Sequence, residues 1–110
     1  SANVFANWEF QHSTGNATVY YFKKDDYKGF LGGTFFAQLT DLRLPELIGG
    51  EPYMSIYSKY ELDCKKRKLR VLTIEYYSKN MKEGRLVTEL TKKSDWFGAP
   101  DNDLKMYCKK

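Results

Sequence analysis

Hydrophobic and polar residues alternate along most of this chain with a period of two, which is typical of β-strands that bury one face. The clearest alternation spans residues 53–63. One set of its side chains is expected in the core: Met54, Ile56, Ser58, Tyr60 and Leu62. The other set is expected in solvent: Tyr53, Ser55, Tyr57, Lys59 and Glu61.

The same period predicts further strands at residues 7–11, 17–22, 34–42, 67–77 and 85–90. The strand at 67–77 has apolar residues on both faces, with Leu69 and Val71 on one side and Leu72 and Ile74 on the other. We therefore expect it in the middle of the sheet. Residues 78–84 are mostly polar and are predicted to form a simple connection.

Residues 43–52 interrupt the alternation with two prolines and a Gly-Gly pair, and we expect a loop there. Three of its residues are unusually apolar for solvent: Leu44, Leu47 and Ile48. Long loops in compact domains are often functional, so these three residues are candidates for binding a partner. The loop can equally fold back over an open face of the sheet, and that is the arrangement we expect.

The period changes after Pro100, where Leu104, Tyr107 and Cys108 fall at positions i, i+3 and i+4 on one face of a short helix. Residues 101–103, Asp-Asn-Asp, are expected to supply capping side chains and negative charge at the helix N-terminus. Because so short a helix is unstable alone, it has to pack on the sheet. The chain is therefore predicted to be a single α+β domain over residues 1–110, with an antiparallel five- to six-stranded meander and one short C-terminal helix packed on it.

The two cysteines lie where a covalent link would fasten the C-terminus. Cys64 falls in the turn of the predicted hairpin at 53–77, and Cys108 lies close to the chain end. A bond between them would close a loop of about 45 residues, worth about 4 kcal/mol in the chain-entropy description. Small exported domains use such bonds, but two unpaired thiols are the other interpretation that the spacing allows.

The formal net charge is +4, and basic residues crowd the turn that contains Cys64. They are Lys65, Lys66, Arg67, Lys68 and Arg70. Such a surface favours acidic partners, among them anionic glycans and acidic proteins, and the five residues are candidates for partner binding. A charged turn also keeps a small β-protein soluble and discourages edge pairing, with no binding role at all.

Candidate catalytic chemistry is sparse. One histidine and two distant cysteines are too few ligands for a metal cluster, and the Gly-Gly pairs lack the context of a phosphate-binding loop. We therefore predict no catalytic, cofactor-binding or metal-binding residue and expect a non-enzymatic protein. Glu61, Asp63 and Glu75 lie among the basic and aromatic residues, which disfavours a nucleic-acid partner. No apolar run approaches the roughly 18 residues of a transmembrane helix.

Residues 60–87, YELDCKKRKLRVLTIEYYSKNMKEGRLV, resemble the signature of the bacterial surface-adhesin protein E family. In that family a tyrosine-rich strand ends in Asp-Cys, a basic turn leads into an Arg-containing hydrophobic strand, and a Tyr-Ser connection with Met and Gly follows. The matching residues are Asp63-Cys64, 65–68, 70–72, Tyr77-Ser78, Met81 and Gly84. The resemblance extends over nearly the whole chain, through residues 16–21, 39–41, Trp96 and 104–108.

The resemblance implies a sheet-and-helix domain in which Cys64 and Cys108 are bridged, exported to the periplasm or outer-membrane surface of a Gram-negative bacterium. It also implies adhesion to a host matrix or plasma protein and permits a homodimer, while the basic turn adds an acidic glycan as a candidate partner. The alternative is a small periplasmic inhibitor, immunity protein or envelope accessory protein that captures a bacterial protein through Leu44, Leu47 and Ile48.

Overall fold

The structure, a computed structural model, describes residues 8–22 and 34–108. Its elements are β1 (Trp8–Ser13), β2 (Ala17–Phe22), β3 (Thr34–Ile48), β4 (Glu51–Asp63), β5 (Lys68–Tyr77), a 3-10 turn (Asn80–Lys82), β6 (Leu86–Leu90), β7 (Phe97–Gly98) and α1 (Asp101–Tyr107). Asn7, the first residue of the first predicted strand, lies outside the described residues.

The strands form one antiparallel sheet in which β1 to β6 are neighbours in chain order, so the predicted meander is confirmed. The described part holds a seventh strand, β7, which pairs with β5 and is too short at two residues to show a period in sequence. β4 lies along one edge of β5, and β6 and β7 share the other. The predicted central position of β5 is therefore confirmed.

One face of the sheet is covered by α1. The buried cluster between the sheet and the helix consists of Phe36, Leu62, Leu69 and Leu104. The predicted packing of the helix on the sheet is therefore confirmed. The bond expected between the cysteines is present as well: Cys64 and Cys108 form a disulfide with their Cα atoms 5.7 Å apart. A helix of only seven residues is thus held by apolar contacts along its length and a covalent bond at its end.

Helix α1 begins differently from the prediction. Its N-cap is Pro100, in an extended conformation, and no side chain makes a capping hydrogen bond. The prediction that residues 101–103 supply capping side chains is therefore wrong. The expected negative charge at the helix N-terminus is present, because Asp101 and Asp103 lie in the first turn of α1. Asp101 is exposed there and Asp103 is buried.

The opposite face of the sheet is also covered, which the alternation in β4 did not predict. Tyr53 and Ser55, expected in solvent, are 8% and 0% exposed. The segment 78–84 is not a simple connection: it folds onto this face and buries Met81. Ser55 is enclosed because its Oγ donates to the backbone oxygen of Lys79 at 2.6 Å and accepts from the backbone N–H of Lys82 at 3.0 Å.

Residues 43–52 do not form the expected loop, and they do not cover the sheet. They extend β3 and β4 into a long hairpin whose turn is Gly49-Gly50, both with positive φ. Pro45 is tolerated because it lies in the register shift between Asp41 and Glu46. Pro52 is tolerated because the described β5 pairs with β4 only from Ser55 onward, which leaves the Pro52 end of β4 as an edge.

Candidate functional site

The basic turn between β4 and β5 lies at one end of the molecule. Lys65, Lys66, Arg67 and Lys68 are all exposed there. The carboxylate of Asp63 shapes the turn by accepting the backbone N–H of Lys66 at 3.1 Å. Arg67 adopts a φ of 57°, a left-handed conformation that lets the chain reverse into β5. The turn therefore displays its four basic side chains on a defined backbone.

The disulfide brings a further cation to this turn. Lys105 of α1 is exposed, and together with Arg67 it lines an open depression of about 450 Å³. The other lining residues are Cys64, Asp101, Leu104 and Cys108. We refer to Lys65, Lys66, Arg67, Lys68 and Lys105 as the basic pole. The sequence placed Lys105 on the helix but gave no signal that it would stand beside the turn.

Acidic groups near the basic pole neutralise little of its charge. Asp101 lies 3.4 Å from Arg67, and because both side chains are largely exposed this ion pair contributes little free energy. Asp103 is buried, and this burial raises the pKa of its carboxyl above the ordinary value. Among the described residues, Lys65, Lys66, Lys68 and Lys105 have no carboxylate within ion-pair distance. Four cations therefore face solvent without a partner from this part of the chain.

Arg70 is also predicted for this site, but its side chain makes contacts within the fold. Its guanidinium lies 2.8 Å from a carboxylate oxygen of Glu61, and both side chains are mostly buried. The same group lies over the ring of Trp96, 4.4 Å from the ring centroid. The structure thus places Arg70 beside the basic pole, with its charge already paired and its flat face covered.

Two aromatic residues that the sequence analysis did not assign to a site lie next to the turn. Phe97 belongs to β7, whose Gly98 pairs with Lys68, and Trp96 precedes it. Their side chains are 40% (Trp96) and 43% (Phe97) exposed. The signal in the sequence was a pair of adjacent aromatic residues directly after the polar run 91–95. Exposed aromatics beside cations add apolar contact area to an electrostatic surface.

The second set of candidates lies at the far end of the sheet. Leu44 and Leu47, on the β3–β4 hairpin, are each 68% exposed, and Ile48 is half-buried. β4 has 13 residues and connects this hairpin to the basic turn, so the two candidate sites lie toward opposite ends of that strand. The structure therefore does not bring the apolar and basic candidates together.

The described residues offer little for other chemistry. No helix in residues 8–22 or 34–108 combines the length and apolar character needed to cross a bilayer. In the same ranges, no three His, Cys, Asp or Glu side chains converge to hold a metal ion. The single histidine, His12, is exposed on β1.

The sequence matches the family model of Surface-adhesin protein E over residues 8–109. No curated protein and no solved structure is significantly similar to the chain. The matched range contains every described element, from β1 to the disulfide at the end of α1. Membership of a surface-adhesin family implies an exported or surface protein with an adhesin-like role. The chain, with its meander and its disulfide-fastened helix, belongs to the Surface-adhesin protein E family.

Proposed function

We propose that the chain acts as a single, non-enzymatic adhesin domain whose basic pole binds an acidic partner. That partner is a host matrix or plasma protein, or an anionic glycan, met at the surface of a Gram-negative bacterium. One observation carries the proposal: exposed cations from a hairpin turn and from α1 stand together because a disulfide ties the two elements. Family membership supports the adhesive role, and the charge supports the chemistry of the partner.

The electrostatics favour a partner with several negative charges. A single exposed lysine is screened within about 8 Å at physiological ionic strength. Cations grouped on one turn and an adjoining helix produce a local field that speeds encounter with an acidic surface and orients it. Trp96 and Phe97 then offer the apolar contact that charge alone does not provide.

The test is charge reversal at the pole with a charge-matched control. The variant at the basic pole combines Lys65→Glu, Lys66→Glu and Lys68→Glu. The control variant combines Lys59→Glu, Lys79→Glu and Lys92→Glu. All six lysines are exposed, so both variants carry the same net charge on the same fold. Binding to immobilised heparin and to matrix proteins is measured as a function of NaCl concentration.

We expect the wild-type affinity to fall as salt rises, and we expect the variant at the basic pole to lose at least tenfold at low salt. At about 0.1 M NaCl the control variant should lose far less than the variant at the basic pole, because exposed charges more than about 10 Å from the partner are largely screened at that ionic strength. Equal losses in the two variants would leave only a nonspecific effect of net charge, and unchanged binding in both would remove the basic pole from the site.

A second candidate function rests on the exposed leucines of the β3–β4 hairpin. Two leucines at 68% exposure on a protruding hairpin favour insertion into an apolar cleft of another protein, as an inhibitor or envelope accessory protein would do. Replacing Leu44 and Leu47 with serine should abolish capture of a partner from a bacterial envelope extract without lowering the stability of the fold. If capture survives this change, the hairpin is not the contact surface.

A further inference from the structure

On the face of the sheet opposite α1, a lysine ammonium lies against aromatic rings. Lys82 Nζ is 4.4 Å from the ring centroid of Tyr57 and 5.7 Å from that of Tyr77. The ring of Trp8 meets Tyr57 edge-on, with the centroids 6.0 Å apart. Both lysine distances fall within the range at which a ring attracts a cation. We refer to Trp8, Tyr57 and Tyr77 as the aromatic cluster.

Two carboxylates lie beside these rings. The strand register aligns Tyr57 with Glu75 and Glu75 with Glu89, so all three side chains share one face of the sheet. The hydroxyl of Tyr77 donates to Glu75 at 2.6 Å. Burial, followed by the hydrogen bond to Glu75, raises the pKa of Tyr77 to about 12.

Glu75 and Glu89 form a pair of like charges directly opposite each other on neighbouring strands, an arrangement that destabilises a sheet. Among the described residues, no basic nitrogen lies within ion-pair distance of either carboxylate. A cation placed between the aromatic cluster and this pair would relieve the repulsion. The surface therefore combines ring faces with uncompensated negative charge, which together suit a cation.

The loop that presents Lys82 is held by its backbone and not by the lysine side chain. Met81 and Lys82 both have positive φ, at 57° and 64°, which are unfavourable values for residues with a side chain. The backbone N–H of Met81 donates to Asp41 at 2.7 Å, and that of Lys82 donates to Ser55 at 3.0 Å. The Lys82 side chain is exposed and makes no ion pair with the described residues. Its ammonium can therefore leave the rings without disturbing the loop.

We propose that the aromatic cluster, with Glu75 and Glu89, binds the ammonium of a lysine side chain from a partner protein. In the free protein Lys82 covers the ring faces of this site without reaching the two carboxylates. A primary ammonium fits better than a quaternary one because it can donate hydrogen bonds to the two carboxylates. The site lies on a different face from α1, and the inference does not depend on the function of the basic pole.

The proposal predicts that removing the resident lysine strengthens binding. Nα-acetyl-lysine-N-methylamide is titrated into the wild-type protein and into Lys82→Ala, and NMR shifts of the Trp8 indole and the tyrosine rings are followed. The affinity of Lys82→Ala should exceed that of the wild type by about two- to fivefold, the factor that corresponds to one exposed cation–π contact. Lys79→Ala, an exposed lysine of the same loop, should bind like the wild type.

Two further measurements distinguish recognition of a lysine from other effects. Glu89→Gln, a change at an exposed residue, should weaken lysine binding in the Lys82→Ala background. Tetramethylammonium, which represents a choline headgroup, should bind more weakly than the lysine derivative. The proposal is overturned if Lys82→Ala binds no more tightly than Lys79→Ala, if Glu89→Gln has no effect, or if tetramethylammonium binds as tightly as the lysine derivative.

Discussion

Removing the disulfide should destabilise the protein by about 4 kcal/mol. Cys64 and Cys108 are separated by 44 positions, and the chain-entropy description gives about 4 kcal/mol at 25 °C for a loop of that length. Domains of this size have total stabilities of about 5–15 kcal/mol, so the loss is a large fraction of the whole. The proposed perturbation is the double variant Cys64→Ser, Cys108→Ser.

The loss should be concentrated at α1. Without the bond, a seven-residue helix depends on Leu104 and on Tyr107, whose ring stacks on Phe36 with the centroids 4.1 Å apart. Burying a leucine contributes about 1.5–3 kcal/mol, while a helix this short does not persist alone. Undocking of α1 should therefore become a frequent local opening that exposes the amides of Leu104 and Cys108, both hydrogen-bonded in the native helix.

Urea unfolding followed by the fluorescence of Trp8 and Trp96 measures the global loss, and amide hydrogen exchange measures the local one. With a urea m-value of about 1–3 kcal/mol per M, the midpoint should fall by about 1–4 M. Lys66→Ser, a change in the same turn, is the control and should shift the midpoint little. A loss below about 1 kcal/mol with undiminished protection of α1 would refute the reasoning, because the helix would then need no covalent tie.

Two other predictions concern the backbone and a buried acid. Gly84 has a φ of +80°, and a methyl group there would collide with Ser78 Oγ. Gly84→Ala should therefore lower the free energy of unfolding by about 1–3 kcal/mol, measured by urea unfolding. Gly98→Ala is the control and should lower it hardly at all, because the space around Gly98 is open. Because burial raises the pKa of Asp103, the native state binds the carboxyl proton more tightly than the unfolded chain does. The free energy of unfolding therefore falls as the pH rises from the ordinary pKa of the carboxyl through its raised pKa in the native state. Asp103→Asn should therefore gain stability over the wild type at pH 7 but not at pH 3, and an equal difference at both pH values would contradict this.

The parts of the fold that follow from local periodicity were predictable. The alternation in 53–63 and 67–77 identified β4 and β5, and the spacing of Leu104 and Tyr107 identified the buried face of α1. The second covered face was not predictable, because it depends on one apolar residue in a polar segment. The loop that buries Met81 is held by Asp41 and Ser55, which are distant in sequence and accept hydrogen bonds from its backbone.

In the candidate sites, too, features that are local in sequence were predictable, and contacts between distant segments were not. The basic turn was visible as a run of charges, and its position beside Cys64 followed from the hairpin. Lys105 and the pair Trp96 and Phe97 join it only through the disulfide and the pairing of β7 with β5. The hairpin of Leu44 and Leu47 was misjudged because prolines and glycines usually end strands, whereas here a register shift and a strand edge accommodate them.

The most direct test of the proposed function is the hydrogen-exchange footprint of a bound heparin oligosaccharide or matrix protein. The two candidate surfaces lie toward opposite ends of β4 and share no residue, so a footprint can separate them. Slower exchange in residues 64–68, at Phe97 and around Lys105, with residues 43–50 unchanged, is the predicted result. Protection confined to residues 43–50 would contradict it and assign binding to the leucine hairpin.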